Sequence, residues 1–213
     1  MRMSELSKRT EVPVATIKYY LREGLLPDGE RITPRLTEYD DRHVRQLRLL
    51  RILREVGHVP VERLRGLIAA AGSGEETIHE LFAEASDALS PTPPEPDEAH
   101  EMARLVVDDI VAQAGWTHTR ANSPDRDLLA ATLATVIRHD THPGGPEDLV
   151  PYVEAADRIA RYELGRLDDA KDRQGLLEEM VVGRVTFGEV LASLRRLAQE
   201  HYSYERFGED HRG

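Results

Sequence analysis

A proline-rich segment divides this chain and constrains its fold more than any other feature. Four prolines fall within the seven residues Ser90-Pro91-Thr92-Pro93-Pro94-Glu95-Pro96. Proline lacks a backbone N–H and clashes with the preceding turn of a helix, so this segment has no place inside a helix or a central strand. Stretches of this composition are stiff and extended. The sequence therefore predicts two domains, residues 1–72 and 97–213, joined by a helix and this linker over residues 73–96.

Charge is distributed unevenly between the two predicted domains. The whole chain carries a formal net charge of −11 over 213 residues. Residues 1–72 hold fourteen Lys or Arg against ten Asp or Glu, which is a net +4, and the remainder of the chain therefore carries −15. A basic head on an acidic body is typical of a protein that binds nucleic acid through one segment. The acidic body also discourages non-specific adhesion to DNA.

Composition excludes several kinds of site. The chain has no cysteine, so disulfides, thiolate metal sites and a cysteine nucleophile are ruled out. No stretch approaches the ~18–20 uncharged apolar residues of a membrane span, and the first residues lack the apolar core of a signal peptide. We therefore expect a cytoplasmic protein that does not associate with a membrane.

The first 72 residues predict a winged helix-turn-helix. A short helix over residues 3–10 is followed by the turn Glu11-Val12-Pro13 and by a second helix that ends at Gly24, a residue type that commonly terminates helices. Two short strands over residues 31–33 and 36–39 surround Pro34 and form the wing. A helix capped by Asp40 or Asp41 then runs to Gly57, and another spans residues 60–72.

Basic and hydrogen-bonding side chains lie where such a domain meets DNA. The second helix of a helix-turn-helix enters the major groove, and its predicted outer face carries Thr16, Lys18, Tyr19 and Arg22. Lys18 and Arg22 suit phosphates, whereas Thr16 and Tyr19 suit phosphates or base edges. The wing adds Arg31, Arg35 and Tyr39, and the basic ladder of the following helix adds Arg45 and Arg48. The alternative for any one of these side chains is an ordinary solvated surface position.

Residues 3–68 resemble the DNA-binding domain of the MerR family. The stretches that carry the resemblance are Ser4-Glu5-Leu6, Val12 to Tyr20, Gly24-Leu25-Leu26-Pro27, Arg35 to Tyr39, and Leu53 to Gly57. The family's Arg-Tyr-Tyr stands here as Lys18-Tyr19-Tyr20, and Lys keeps the charge but loses bidentate hydrogen bonding. At the end of the wing the family's final Tyr is Tyr39, its Arg is replaced by Thr37, and we expect Arg35 to supply the missing charge.

The resemblance implies a homodimer on a pseudo-palindromic site in double-stranded promoter DNA. Such proteins distort the DNA between the promoter elements and so control its use by RNA polymerase, which is control by deformation. The family joins its subunits by a long helix directly after the DNA-binding domain. Here the corresponding helix, predicted to start after Ser73 and run to Leu89, is stopped by the prolines. We therefore expect dimerisation to rest partly on the helical body, over residues 149–169 and 186–203.

The second domain is predicted to be entirely helical, so the fold class is mostly all-α with a short β-wing. Its predicted helices span residues 97–114, 124–139, 147–169 and 174–203, with a frayed tail from Tyr204. The body weakly resembles the ligand-binding domains of TetR-type repressors. An unidentified small-molecule effector is expected to bind there. Candidate side chains for its pocket are Trp116, Tyr152, Tyr162, Met180 and Phe187, although aromatic residues at such positions also serve packing alone.

His139-Asp140-Thr141-His142 is the most site-like cluster of the body. Two His and a carboxylate suit a metal, but no third ligand follows at a convincing spacing, so we predict neither a metal nor a cofactor. No phosphate loop or nucleophile elbow accompanies the cluster, and we expect no enzymatic activity. Two alternatives to an effector-controlled regulator remain open: a ligand-independent architectural or excisionase-like DNA-binding protein, and an enzyme on the helical body.

Overall fold

The computed structural model describes residues 1–34, 36–72, 77–139 and 146–208. These residues are mostly helical and include one antiparallel sheet of two short strands, which confirms the predicted fold class. The helices are α1 (Met3–Thr10), α2 (Val14–Arg22), α3 (Asp41–Glu55), α4 (Val61–Gly72), α5 (Ile78–Leu89), α6 (Glu98–Gln113), α7 (Pro124–Arg138), α8 (Val150–Leu164) and α9 (Arg173–Phe207). The strands are β1 (Glu30–Thr33) and β2 (Leu36–Glu38). No helix within the described ranges is both long and apolar enough to span a membrane.

Packing groups these elements into two compact units. One unit comprises Met1–Phe82 together with Asp169–Gly213, and the other comprises Ala83–Asp168. The sequence placed domain ends at residues 72 and 96, whereas the packing boundaries fall within α5 and just before α9. The independent folding of residues 1–72 and of residues 97–213 stays a prediction.

Helices α1 and α2 form the predicted helix-turn-helix. Leu6 of α1 and Ile17 of α2 are fully buried. Ser7 holds the turn by donating its hydroxyl proton to the Val12 carbonyl at 2.6 Å. Glu11 adopts a left-handed conformation with φ of 56°, which reverses the chain within a short turn. Both helices match their predicted bounds to within a residue or two.

Helix α3 is fixed at its start by Asp40. The Asp40 carboxylate accepts from the backbone N–H groups of Arg42 and His43 at 2.9 and 3.4 Å. The His43 ring in turn meets the Asp40 backbone N–H at 3.1 Å, which completes a capping box. The apolar face of α3 is buried as the spacing predicts, and its buried members are Val44, Leu47, Leu50 and Leu53.

Three boundaries of helices α5 and α8 differ from the sequence prediction. Helix α5 begins at Ile78, because Thr77 and Glu80 form the capping box: the Glu80 N–H donates to Thr77 Oγ1 at 3.2 Å and the Thr77 N–H donates to Glu80 Oε2 at 2.7 Å. The predicted cap, Ser73 to Glu76, lies outside the described residues. Helix α8 was predicted over residues 147–169 but is shorter, since a 3-10 turn precedes it and Gly165 ends it.

Helix α9 is one continuous helix of 35 residues. Asp172 caps it by accepting from the Gly175 N–H at 2.8 Å, and Gly183 does not interrupt it. The prediction of a frayed tail from Tyr204 was wrong, because the helix continues to Phe207. Its first half packs against α3. At the end of α3 a Cβ added to Gly57 would lie 2.5 Å from Val185 Cγ1, so glycine permits this close approach.

The unit Ala83–Asp168 is built on the packing of α6 against α7. Small and apolar side chains fill the contact, namely Ala103, Val107, Ala130, Leu133 and Ala134. Ser123 precedes α7 and its hydroxyl accepts from the Asp125 N–H at 3.3 Å, which confirms the predicted start. The proline segment is free of helix and strand over residues 91–97. Helix α8 buries none of its side chains.

Candidate nucleic-acid interface

The outer face of α2 carries the predicted DNA-contacting side chains. Lys18 and Arg22 are exposed, and Thr16 and Tyr19 are half-buried. Lys18 and Arg22 are four residues apart and therefore share one face of the helix. Tyr20 on the opposite side is buried and fixes the orientation of the outer face against the core. The helix can thus present two cations and two hydrogen-bonding side chains to a groove.

The wing is an exposed two-stranded ribbon. Arg31 on β1 is paired across the ribbon with Thr37 on β2, and its side chain is exposed. Arg35 lies outside the described residues, so its predicted contact stays a prediction. Gly29 precedes β1, where an added Cβ would come within 2.6 Å of the Glu38 carbonyl oxygen. Only glycine permits this approach of the two strands, which holds the base of the wing closed.

Tyr39 is buried, with only 7% of its surface exposed. Its ring stands edge-on to His43 with centroids 5.1 Å apart, and its backbone N–H donates to the Met1 carbonyl at 2.8 Å. Burial raises the pKa of the Tyr39 hydroxyl. The residue therefore joins the end of the wing to the start of α3, and a direct contact of Tyr39 with DNA stays a prediction.

The arginine ladder of α3 divides into paired and unpaired members. Arg42 pairs with Asp40 at 2.8 Å, and Arg51 pairs with Glu11 at 2.6 Å and with Glu55 at 3.0 Å. Arg54 donates to the Val59 carbonyl at 2.8 Å. Arg45 and Arg48 are exposed and make no ion pair within the part of the chain that the structure describes.

The distinction between paired and unpaired cations also applies to the predicted DNA-contacting residues outside α3. Among the described residues, Lys18, Arg22 and Arg31 also have no ion-pair partner. Of the cations outside the predicted set, Arg9 pairs with Asp41 at 2.6 Å and Arg65 pairs with Glu23, whereas Arg2 and Lys8 are exposed without an ion pair among the described residues. A cation held by a carboxylate is partly neutralised, whereas an unpaired exposed one keeps its full charge for a phosphate. The described cations of the predicted DNA surface are thus all electrostatically available.

The paired arginines instead hold the domain together. Glu11 and Arg51 connect the helix-turn-helix turn to α3, and the pKa of the Glu11 carboxyl is lowered by its hydrogen bond to Arg51. The pKa of Asp40 is held far below its usual range by hydrogen bonds from Arg42 and His43. Gln46 adds a neutral link by donating to the Leu25 carbonyl at 2.6 Å. These contacts fix α3 relative to α2.

The five predicted effector-pocket residues fall in different packing units. Trp116, Tyr152 and Tyr162 belong to Ala83–Asp168, whereas Met180 and Phe187 lie on α9 in the unit that contains the helix-turn-helix. The Trp116 indole N–H donates to Asp157 at 3.0 Å. Tyr152 and Tyr162 are mostly exposed. Their joint participation in one pocket stays a prediction.

An open groove of about 670 Å³ lies beside the first half of α9. Phe187 and Val182 give it an apolar part, and charged side chains of both signs complete it, among them Arg45 of α3 and Glu178 of α9. Arg45 therefore lies where α3 and α9 meet. Of the candidate metal cluster, His139 is exposed in the turn after α7, and Asp140 to His142 lie outside the described residues.

The helix-turn-helix, its wing and the unpaired cations define a DNA-binding transcription regulator. The model of the family described as "MerR HTH family regulatory protein" matches residues 1–71. A crystal structure from Streptomyces coelicolor A3(2), described as "putative transcriptional regulator SCO5550", is similar at 36% sequence identity and a TM-score of 0.78, with 99% of each chain covered. A search of the curated proteins gives no significant match. This chain belongs to the MerR family of helix-turn-helix regulatory proteins.

Proposed function

We propose that this regulator acts as a homodimer on a pseudo-palindromic promoter site, which it reads through α2 and the wing of each chain. One small winged domain makes few contacts, and two linked copies provide useful affinity. The observation that supports this surface most is the division of the cations: Lys18, Arg22, Arg31, Arg45 and Arg48 are exposed without ion pairs, while neighbouring arginines are neutralised by carboxylates. Arg35 joins this set as a sequence-based expectation.

Control of transcription follows from distortion of the promoter. The protein binds between the promoter elements and bends or untwists the DNA, which changes how RNA polymerase engages it. A small-molecule effector bound by the helical part of the chain biases this distortion. We assign no catalytic reaction to the chain.

The test begins with selection of bound genomic DNA fragments by the full-length protein, followed by footprinting of the best fragment. Protection of an inverted repeat between promoter elements, with enhanced cleavage at its centre, is the expected result. Protection and distortion of sites unrelated to promoters favour the architectural alternative. No enrichment of any sequence contradicts the proposal for the protein in its unliganded state.

Alanine variants locate the contact surface. Lys18→Ala and Arg31→Ala are expected to weaken binding to the selected fragment, because each removes an exposed cation without disturbing an ion pair. Arg42→Ala is the matched control on α3, because its guanidinium is held by Asp40. Equal losses in all three variants would contradict the ion-pairing argument, and unchanged affinity in Lys18→Ala and Arg31→Ala would place the DNA on a different surface.

A further inference from the structure

The second half of α9 carries an apolar stripe that the chain itself does not cover. From Phe187 to Phe207 every side chain of the helix is exposed except Ala192, which is half-buried. The stripe comprises Phe187, Val190, Leu191, Leu194, Leu197 and Tyr204, which are between 44% and 66% exposed. Six side chains of this size present on the order of 500 Å² of surface, which is the size of patch that marks an interaction site.

The uncovered face of this segment favours a packing partner. Most helical stability in proteins comes from packing an amphipathic face rather than from helix propensity. The first half of α9 satisfies this through buried Leu177 and Val181, whereas the second half has no such contact among the described residues. Its stripe is therefore expected to be covered in the functional assembly.

The spacing of the stripe identifies the kind of partner. Phe187, Leu194 and His201 are seven residues apart, and Val190, Leu197 and Tyr204 follow each of them by three. These are the a and d positions of three consecutive heptads, the pattern with which one helix packs along another. Leu191 and Ala198 widen the seam at the adjacent e positions.

We infer that residues 187–207 of α9 form an antiparallel two-helix seam with the same segment of a second copy of this chain. The inference rests on the homodimer of the proposed function and assigns its interface. In this register Phe187 faces the partner's Tyr204, Val190 faces the partner's His201, and Leu194 faces the partner's Leu197. Each pair occurs twice about the two-fold axis, and every a and d position of the three heptads is matched.

Charge argues against a parallel arrangement of the two helices. A parallel seam in register sets His201 against its own copy and sets Glu200, at a g position, opposite Glu205 at the e position of the partner. Opposed like charges of this kind destabilise a pairing. The antiparallel seam places an apolar Val190 against His201 instead, and Glu205, whose Oε1 lies 3.3 Å from His201 Nε2 within each helix, stays on the edge of the seam.

In this antiparallel register, the contact between the two copies of residues 187–207 reaches the groove beside the first half of α9. Phe187 lines that groove together with Gly183, and the antiparallel register brings the partner's Tyr204 onto Phe187. The seam is therefore continuous with the surface where α9 packs against α3, and the dimer contact is anchored to the DNA-binding unit.

Engineered cysteines test the register directly, because the natural chain has none. Full-length Phe187→Cys and Tyr204→Cys chains carrying tags of different size are purified separately, mixed, and oxidised. The mixture is expected to give a disulfide between the two variants, while each variant alone gives none, because two copies of one position then lie roughly 25 Å apart along the seam, far beyond disulfide reach. Gln199→Cys, on the outermost face, is the control and is expected to remain uncrosslinked.

A second measurement tests the energetics by analytical ultracentrifugation. Leu194→Glu keeps helix propensity and replaces a side chain already exposed in the single chain, so the fold of each chain is retained. Because the pair of Leu194 and the partner's Leu197 occurs twice in the dimer, the substitution disrupts two contacts. It is expected to raise the dimer Kd by about a thousandfold. Gln199→Glu is the control and leaves the Kd within about threefold, as surface substitutions do.

The possible outcomes test the inferred interface separately from the proposed homodimer. Disulfides within each single variant would establish a parallel seam and overturn the inferred register. A wild-type dimer without any of these crosslinks, and unaffected by Leu194→Glu, would overturn the inferred interface while the proposed homodimer stands. A wild-type chain that stays monomeric at tens of micromolar, with and without its selected DNA fragment, would contradict both.

Discussion

The salt dependence of DNA binding gives the sharpest test of the proposed surface. Phosphate contacts release counterions, so log Kobs falls with log salt concentration by about 0.9 per contact. The predicted DNA surface has five unpaired described cations in each chain, and in a dimer they give about ten contacts and a slope of about −9. Lys18→Ala removes one contact from each chain, so its slope is expected to be shallower by about 2.

This difference is large enough to measure by fluorescence anisotropy with a labelled operator fragment. Between 50 and 200 mM salt the affinity deficit of Lys18→Ala relative to wild type is expected to shrink about tenfold. Arg42→Ala, whose guanidinium is held by Asp40 at 2.8 Å, is expected to keep the wild-type slope. An unchanged slope for Lys18→Ala, or an equally reduced slope for Arg42→Ala, would refute the argument that ion pairing decides which cations meet DNA.

Three further perturbations follow from the geometry. Gly29→Ala is expected to open the base of the wing, because its Cβ would lie 2.6 Å from the Glu38 carbonyl oxygen; weaker operator binding with an unchanged dimer Kd checks this, and unaltered binding would contradict it. The pKa of Asp40 is depressed in the folded protein, so its stabilising effect is complete above the unfolded pKa of about 4 and declines as the pH falls below that value. Urea unfolding from pH 6 to pH 3 is therefore expected to show a smaller decline for Asp40→Asn than for wild type, and parallel declines would exclude the carboxylate as the cause. Trp116→Phe removes the hydrogen bond to Asp157 and is expected to speed amide exchange in α8; unchanged exchange would show that this bond does not hold the helix.

The local structure of the DNA-binding part could be read from the sequence because its signals are local. Helix α1, helix α2 with its terminating Gly24, and the cap at Asp40 each depend on residues within one or two turns. The ends of α5 and α8 were harder to place, because several residues near them have capping or terminating character. Thr77 took the role expected of Ser73, and Gly165 ended a helix that the apolar spacing extended to Asp169.

The partners of the elements could not be read from the same signals. Apolar spacing shows that a helix has a face to bury but carries no information about what buries it. The stripe on α9 was visible in the sequence, yet only the structure shows that it is exposed and that the first half of α9 packs against α3. Likewise, the ladder of α3 has one repeating residue type, and long-range contacts such as Arg51 with Glu11 decide which members are neutralised.

The continuity of α9 has a mechanical consequence. Its first half is held by Leu177 and Val181, and its second half, residues 187–207, is roughly 30 Å long at 1.5 Å per residue. A rotation of about 5° at the attached end moves the far end by nearly 3 Å. In the proposed homodimer, a small rearrangement where α9 meets α3 would therefore displace the far end of α9 enough to change the separation of the two copies of α2.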